Sequence, residues 1–239
     1  MTPAPTTTSD EATTLHRSRS AERALTLLDT VITRGSIGLS DAAGQVGLPT
    51  STALRHLRAL MLSGYLVRDD LGQYSVGPTF LRLALASFQS GPYARLVAAA
   101  QPHLDQLAAA TEESVYLAVR DGVNAVYIAT VESPRAIRHV GWVGRSVPID
   151  GTAVGEALLA PALPPGRRPG LSVNTGAIEP DVTALTAPIF DDSGVVGALS
   201  VLGPSDRLAD DRLERAGTAL VDAAVSIAIA MSASAMSPS

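Results

Sequence analysis

The sequence predicts an α+β chain: an N-terminal winged helix-turn-helix, a linker helix, and a C-terminal domain of strand pairs flanked by helices. Three observations carry that reading. Leu39–Gly77, LSDAAGQVGLPTSTALRHLRALMLSGYLVRDDLGQYSVG, orders itself as short helix, tight turn at Gly47, second helix and hairpin. Beyond Thr111 the apolar pattern changes from helical spacing to alternation. Two polar turns, Asp121-Gly122 and Asp191–Gly194, then separate alternating runs, as hairpins require.

The opening MTPAPTTTSDEATT is polar and acidic, lacks the apolar core of a leader peptide, and reads as a disordered tail over 1–17. Ser20 is placed to cap a helix running to about Thr33, with Ala24, Leu27, Leu28 and Val31 inward. Ser40 is placed to cap the next, with Ala42, Ala43 and Val46 inward. Gly47 tolerates the positive φ of a sharp corner, and Pro49 loses nothing at a first-turn position. From Pro49 or Thr50, the residues Ala53, Leu57, Leu60 and Met61 form one apolar stripe, with His56 as a half-buried packing residue beside it. Tyr65–Arg68 and Gln73–Val76 read as strands around Asp69-Asp70-Leu71-Gly72, the wing.

Phe80, Leu81, Leu83, Ala84, Leu85 and Phe88 then predict an apolar connector helix ending near Ser90-Gly91-Pro92 that needs a partner surface. A helix follows Pro102 to about Thr111. Val115–Arg120 pairs with Val123–Val131, and Ile137–Val143 continues the strand pattern. Thr152–Ala160 reads as a short helix, Val182–Phe190 and Val195–Leu202 as a second hairpin, and Leu208–Met231 as a closing amphipathic helix. The apolar run within it is interrupted by Asp222 and is read as too short to span a bilayer. The domains expected are a tail at 1–17, a winged helix-turn-helix at 18–77, a linker helix at 78–95, a second domain at 96–232 and a flexible tail at 233–239.

Charge divides along the same lines. Net charge is −5, yet His16–Arg82 holds eight arginines against five acids, while ten arginines face sixteen acids from Leu83 onward. The basic portion is the helix-turn-helix, as contact with phosphate requires. On the second helix, opposite its apolar stripe, stand Thr50, Ser51, Thr52, Leu54, Arg55 and Arg58. Hydroxyls at a helix start reach phosphate, an arginine forks onto a guanine edge, and a leucine meets a thymine methyl. Arg68 and Gln73 place the wing beside the DNA backbone or minor groove. The same pattern also suits a plain helical hairpin with solvated arginines. The modest positive excess favours two reading heads over one.

Other chemistries find little support. The chain has no cysteine, and His16, His56, His103 and His139 are scattered, so no metal and no cofactor is expected. Phosphate-binding loop, dinucleotide fingerprint and nucleophile elbow are all missing. A soluble, cytoplasmic protein is expected, with no membrane partner and no enzymatic activity.

Six segments, in this order, resemble the IclR-type bacterial transcriptional regulators: SAERALTLLD, GLPTSTALRHL, GQYSVG, SVYLAVRDGVNAVYIATVES, VGRSVPIDGTAVGEALLA and APIFDDSGVVGALSVLGPSDRL. The resemblance covers about Ser18 to Ser232. It implies that 96–232 is an effector-binding and oligomerisation domain similar to GAF domains. It further implies homodimers or dimers of dimers on double-stranded DNA, and control, as a repressor, by small metabolites, often organic or aromatic acids. By position the effector pocket would involve Gly151, Thr152, Ala153, Val182, Ala184 and Ser200. The free N–H groups at the start of the Thr152–Ala160 helix suit a carboxylate, unless Asp150 caps them itself. The chain departs from the family pattern in a short, proline-rich Pro161–Gly170, in Glu156 where a lysine is usual, and in Leu202 where a polar residue is frequent. Two other readings stay open: a ligand-independent regulator with a degenerate pocket, and an enzyme built on the α+β module.

Overall fold

The computed structural model describes residues 18–164 and 166–235. The tail expected at 1–17 and the last four residues of the one expected at 233–239 lie outside them. The chain divides into two compact units, parting between Gln89 and Ser90.

In the first unit, α1 (Arg19–Arg34), β1 (Ile37–Gly38), α2 (Leu39–Gln45), α3 (Thr50–Leu62), β2 (Leu66–Arg68), β3 (Gln73–Val76) and α4 (Pro78–Ser90) follow in order. Leu27, Val31, Ala42, Ala43, Ala53 and Leu57 bury the facing stripes of the first three helices against Leu66 and Tyr74 of the wing. The corner holds as expected, with Gly47 at φ +66°. Gly72, at φ +81°, closes the wing turn, where Asp69 Oδ1 accepts from the Leu71 and Gln73 amides. Both predicted caps shift. Ser18, not Ser20, caps α1 by accepting from the Ala21 amide. The N-cap of α2 is Gly38, without a side-chain bond, because Ile37 and Gly38 are held in β1 against Tyr74 and Gln73 and the helix starts directly after them. That two-residue strand, too short to show alternation, completes an antiparallel sheet of order β1-β3-β2. On α4, Leu81, Leu83 and Leu85 are exposed.

The second unit comprises α5 (Ala94–Thr111), β4 (Ser114–Asp121), β5 (Asn124–Val131), β6 (Ser146–Pro148), α6 (Ala153–Leu158), β7 (Ser172–Thr175), β8 (Val182–Asp191), β9 (Gly194–Pro204) and α7 (Asp210–Ala235). Six antiparallel strands stand in the order β6-β5-β4-β9-β8-β7. Alternation assigns the faces. Val115, Leu117 and Val119 of β4, with Leu199 and Val201 of β9, pack under α5 and α7. Tyr116, Ala118, Ala198 and Leu202 face the other way, toward α6, Tyr127 and Trp142.

Three expectations are corrected here. Pro102 does not start a helix: α5 begins at Ala94 and carries it internally. A stripe of Leu96, Ala100, Leu104 and Leu107 runs through it into the core, and that burial outweighs the hydrogen bond a proline removes. Ile137–Val143 forms no strand. Its alternation is broken, with Ile137, Val140 and Val143 exposed while His139 and Trp142 are buried, and the sheet is extended instead by β6. Finally, the C-terminal apolar helix is not short: Asp210–Ala233 is long and apolar enough to cross a membrane by length and composition. Here Ala216, Leu220, Ala224 and Ile227 lie in the core against the sheet, the pattern of a helix packed on a layer of strands.

One close approach fixes α6. A Cβ on Gly155 would meet the Ile149 carbonyl oxygen at 1.7 Å, so only glycine lets the helix lie against that backbone. Gly155→Ala is expected to lower the stability of this unit by about 1–3 kcal/mol through forced backbone displacement. Urea unfolding followed by Trp142 fluorescence checks it, and an unchanged midpoint would contradict the packing.

Candidate DNA-reading helix and effector cavity

The reading helix is built from its caps upward. Pro49 stands at the N-cap of α3, its carbonyl accepting from the Thr52 and Ala53 amides. With Ala53 and Leu57 buried, the 3.6-residue turn leaves Thr50, Ser51, Arg55 and Arg58 exposed and Thr52 and Leu54 at the margin. Both arginines therefore stand on the solvent side, with alkyl stems based on a rigid rod. His56 lies deeper than expected: it is buried, and its Nε2 has no hydrogen-bond partner among the described residues. In the wing, Arg68 is partly committed. Its Nε donates to the Gly72 carbonyl at 3.2 Å, and its guanidinium lies 5.5 Å from the Tyr74 ring centre. Gln73, half-buried, passes beside Gly38.

In the second unit a cavity of about 30 Å³ lies between α6 and the β7–β8 end of the sheet. Thr152, Ala153, Val182 and Ala184 line it. Gly151 and Ser200 do not. The Gly151 carbonyl accepts from Asn174 Nδ2 at 3.3 Å, and the buried Ser200 hydroxyl is paired with Thr186 Oγ1 at 2.9 Å. The remaining wall is formed by Tyr127, His139, Trp142, Val154, Asn174, the Ala177–Glu179 segment and Leu202, of which the sequence singled out only Leu202, as a departure from the family pattern. Asp150 does not cap α6. Thr152 does, accepting from the Gly155 amide at 3.1 Å while its hydroxyl hydrogen faces the Pro148 and Ile149 carbonyls. One N–H of the first turn, that of Gly155, is thus taken by a side chain of the protein, while Ala153 and Val154 of the same turn line the cavity.

An aromatic cluster forms the cavity's inner wall. The Tyr116, Tyr127, His139 and Trp142 rings meet largely edge to face, at centroid distances of 4.7 to 5.6 Å. His139 Nδ1 lies 2.9 Å from the Tyr116 hydroxyl, while its Nε2 is without a hydrogen bond among the described residues and 3.9 Å from Glu179 Oε2. Burial pushes the Tyr116 phenol up to about 12 and raises Tyr127 as well. It also holds His139 below its ordinary 6.5, with Glu179 opposing that shift and Arg145 adding to it.

The loop bearing His139 is anchored at both ends. Ser114 Oγ and the Tyr116 hydroxyl donate to the His139 carbonyl. Arg207 donates to both carboxylate oxygens of the buried Glu113 at 2.6 Å, and to the Ile137 carbonyl at 3.0 Å. The bond to Glu113 raises the Arg207 pKa above its usual value.

The His139 shift has a pH consequence. Below pH 6.5 the unfolded chain takes up a proton that the folded imidazole resists. The associated stability is therefore complete above 6.5 and declines as the pH falls below it. Wild type is expected to lose more stability than His139→Gln between about pH 7.5 and about pH 5.5 in urea titrations. Equal losses would contradict a buried neutral imidazole.

The chain matches the IclR helix-turn-helix domain over residues 20–70 and the bacterial transcriptional regulator IclR C-terminal domain over 93–165 and 161–229. It belongs to the IclR family of bacterial transcriptional regulators. Among relatives, the HTH-type transcriptional repressor AllR of Salmonella typhimurium is 28% identical over 231 residues, covering 82% of this chain and 84% of AllR. The HTH-type transcriptional regulator KipR of Bacillus subtilis is 24% identical over 244 residues, covering 89% and 96%. An IclR homologue from Microbacterium hydrocarbonoxydans, solved in complex with 4-hydroxybenzoate, superposes with a TM-score of 0.75 at 25% identity, covering 90% of this chain and 99% of the homologue.

Proposed function

We propose that the chain is a cytoplasmic homodimeric repressor, or a dimer of dimers, that reads an operator through α3 and is released or retained by a small molecule bound in the second unit. The observation that carries this is the exposed pair Arg55 and Arg58 on a helix whose opposite stripe is buried. In this reading Thr50, Ser51 and Thr52 contact phosphate, Leu54 a thymine methyl, Arg55 a guanine edge and Arg58 phosphate. Arg68 and Gln73 set the wing against the backbone. Residues 18–77 bind DNA, 78–95 link, and 96–232 bind effector and oligomerise; the exposed leucines of α4 supply an apolar surface for a second copy.

Thr152, Ala153, Val182 and Ala184 contact the effector directly, with Gly151 and Ser200 shaping the wall behind. The relative solved in complex with 4-hydroxybenzoate supports control by a small molecule. An effector regulates only by binding the DNA-competent and incompetent arrangements with different affinity. No catalysis is assigned to the chain. The water-sized volume of the cavity favours one second reading, a regulator that binds DNA without an effector.

Titrating salt against operator binding tests the reading. Affinity is expected to fall by orders of magnitude between about 50 and about 200 mM salt, as counterions leave several phosphates. A flat response would contradict the proposed footprint.

A further inference from the structure

The helix-covered face of the large sheet, opposite the effector cavity, carries a larger opening. Between the last turn of α5 and the first turns of α7 lies a cleft of about 530 Å³, a volume ordinary for small-molecule sites. The space exists because Ala109 and Ala110 of α5 and Ala216 and Ala219 of α7 put methyl groups where longer side chains would fill it. The charged lining is unevenly paired. Glu113 is buried and held at two points by Arg207, and Glu112 is paired with Arg135 from outside the lining. Arg212 and Arg215 line the cleft, are exposed, and have no ion-pair partner among the described residues. With Ala216 and Ala219 they recur at i, i+3, i+4 and i+7, so one face of α7 presents both guanidinium groups and the small residues together.

From this arrangement we infer that the cleft is a second small-molecule site, one that takes a short dicarboxylate, with Arg212 and Arg215 holding its two acid groups and the alanines lying along its carbon chain. The inference goes beyond the sensor reading above and does not depend on it. A guanidinium fork matches a carboxylate at two points, and residues three apart on a helix stand about 5–6 Å apart at Cβ, a span that two long side chains adjust to both ends of a short diacid. A monoacid satisfies one arginine and leaves the other unused. Both carboxylates of the lining are already neutralised by arginines, so the two remaining guanidinium groups leave a local positive excess. The carbonyl end of α5 and the amide end of α7 both border the cleft, and their partial charges offset. Asp206, Asp210, Asp211 and Glu214 belong to the same end of the chain but do not line the cleft. Asp210 and Glu214, each two residues from Arg212, fall on the far side of the helix, and Asp211, four residues before Arg215, forms no ion pair with it. These acids cancel the positive excess at a distance, so an anion is recognised by contact and not by long-range attraction. Among the described residues, the two non-glycine positions of positive φ also lie here: Glu112 at +58° lines the cleft, and Asp210 at +45° opens the helix that carries both arginines. Backbone strain of this kind clusters at ligand clamps.

Calorimetric titration of the full-length chain with succinate, butyrate and sulfate at fixed ionic strength tests this. The three carry two acid groups on a short chain, one acid group on a chain of the same length, and a double charge on a single centre. Wild type is expected to bind succinate roughly tenfold or more tightly than either of the others. Arg212→Gln and Arg215→Gln, at exposed positions outside the core, are each expected to weaken succinate by roughly tenfold, to the level of butyrate. Succinate held in the effector cavity, on the opposite face of the sheet, would keep its affinity in both variants. Unchanged succinate affinity in the Arg212→Gln, Arg215→Gln double variant therefore overturns the inference. So does butyrate or sulfate binding as tightly as succinate in wild type, or wild type that binds none of the three. None of these outcomes bears on the effector cavity or on operator reading.

Discussion

Arg55→Ala is expected to cut discrimination between operator and scrambled DNA by roughly tenfold to a hundredfold while leaving folding and self-association unchanged. The side chain is exposed on α3, and the residues that hold the helix, Ala53 and Leu57, lie on its other side. Truncation therefore removes no core contact. A bidentate arginine–guanine contact contributes about 1–3 kcal/mol of discrimination, so operator affinity should drop by roughly tenfold to a hundredfold while non-specific binding changes far less. Arg58→Ala should act differently, weakening both DNAs alike and flattening the salt dependence by about one ion. Fluorescence anisotropy with both duplexes separates the two roles. Equal losses on both DNAs for Arg55→Ala would move that residue from base to phosphate.

The second large effect is expected at Arg207. Its guanidinium is the two-point partner of Glu113, whose side chain is 3% exposed. Arg207→Ala would strand a carboxylate in the interior and free the Ile137 carbonyl, at a cost of about 3–5 kcal/mol. Because the same loop carries His139 and Trp142, the damage should reach the effector cavity, and Trp142 fluorescence should report it below the unfolding transition. A double replacement, Glu113→Gln with Arg207→Met, removes both charges and should recover much of the loss, since an absent pair costs less than a broken one. If the single substitution is as stable as wild type, the pair contributes little and the anchoring role fails.

How much was legible beforehand follows from physical range. The helix-turn-helix and its wing could be read because their determinants are local: a glycine corner, a proline at the N-cap, a four-residue turn closed by Gly72. The two hairpins of the second unit declared themselves for the same reason. Pro102 misled because a proline is a local signal for a start, whereas the burial of Leu96 and Leu104 on both sides of it is a tertiary one. Ile137–Val143 misled because alternation in apolar residues does not distinguish a strand from an anchored loop. What anchors this one, Arg207 and the Ser114 and Tyr116 hydroxyls, comes from distant positions in the chain.

The candidate cavity was half legible. Thr152, Ala153, Val182 and Ala184 followed from position, but Ser200 could not be told from a lining residue without knowing that Thr186 lies across from it. Glu179 and Asn174 gave no sequence signal. They reach the cavity from β7 and the segment after it, a four-residue edge strand that the apolar pattern does not mark.

The most direct test is a binding titration against a duplex taken from the DNA flanking the protein's own gene, beside a scrambled duplex of equal length and composition. At fixed near-physiological salt the native duplex should bind about a thousandfold or more tightly than the scrambled one, the range of specific operators. Equal affinity for the two duplexes would contradict an operator-reading role for α3.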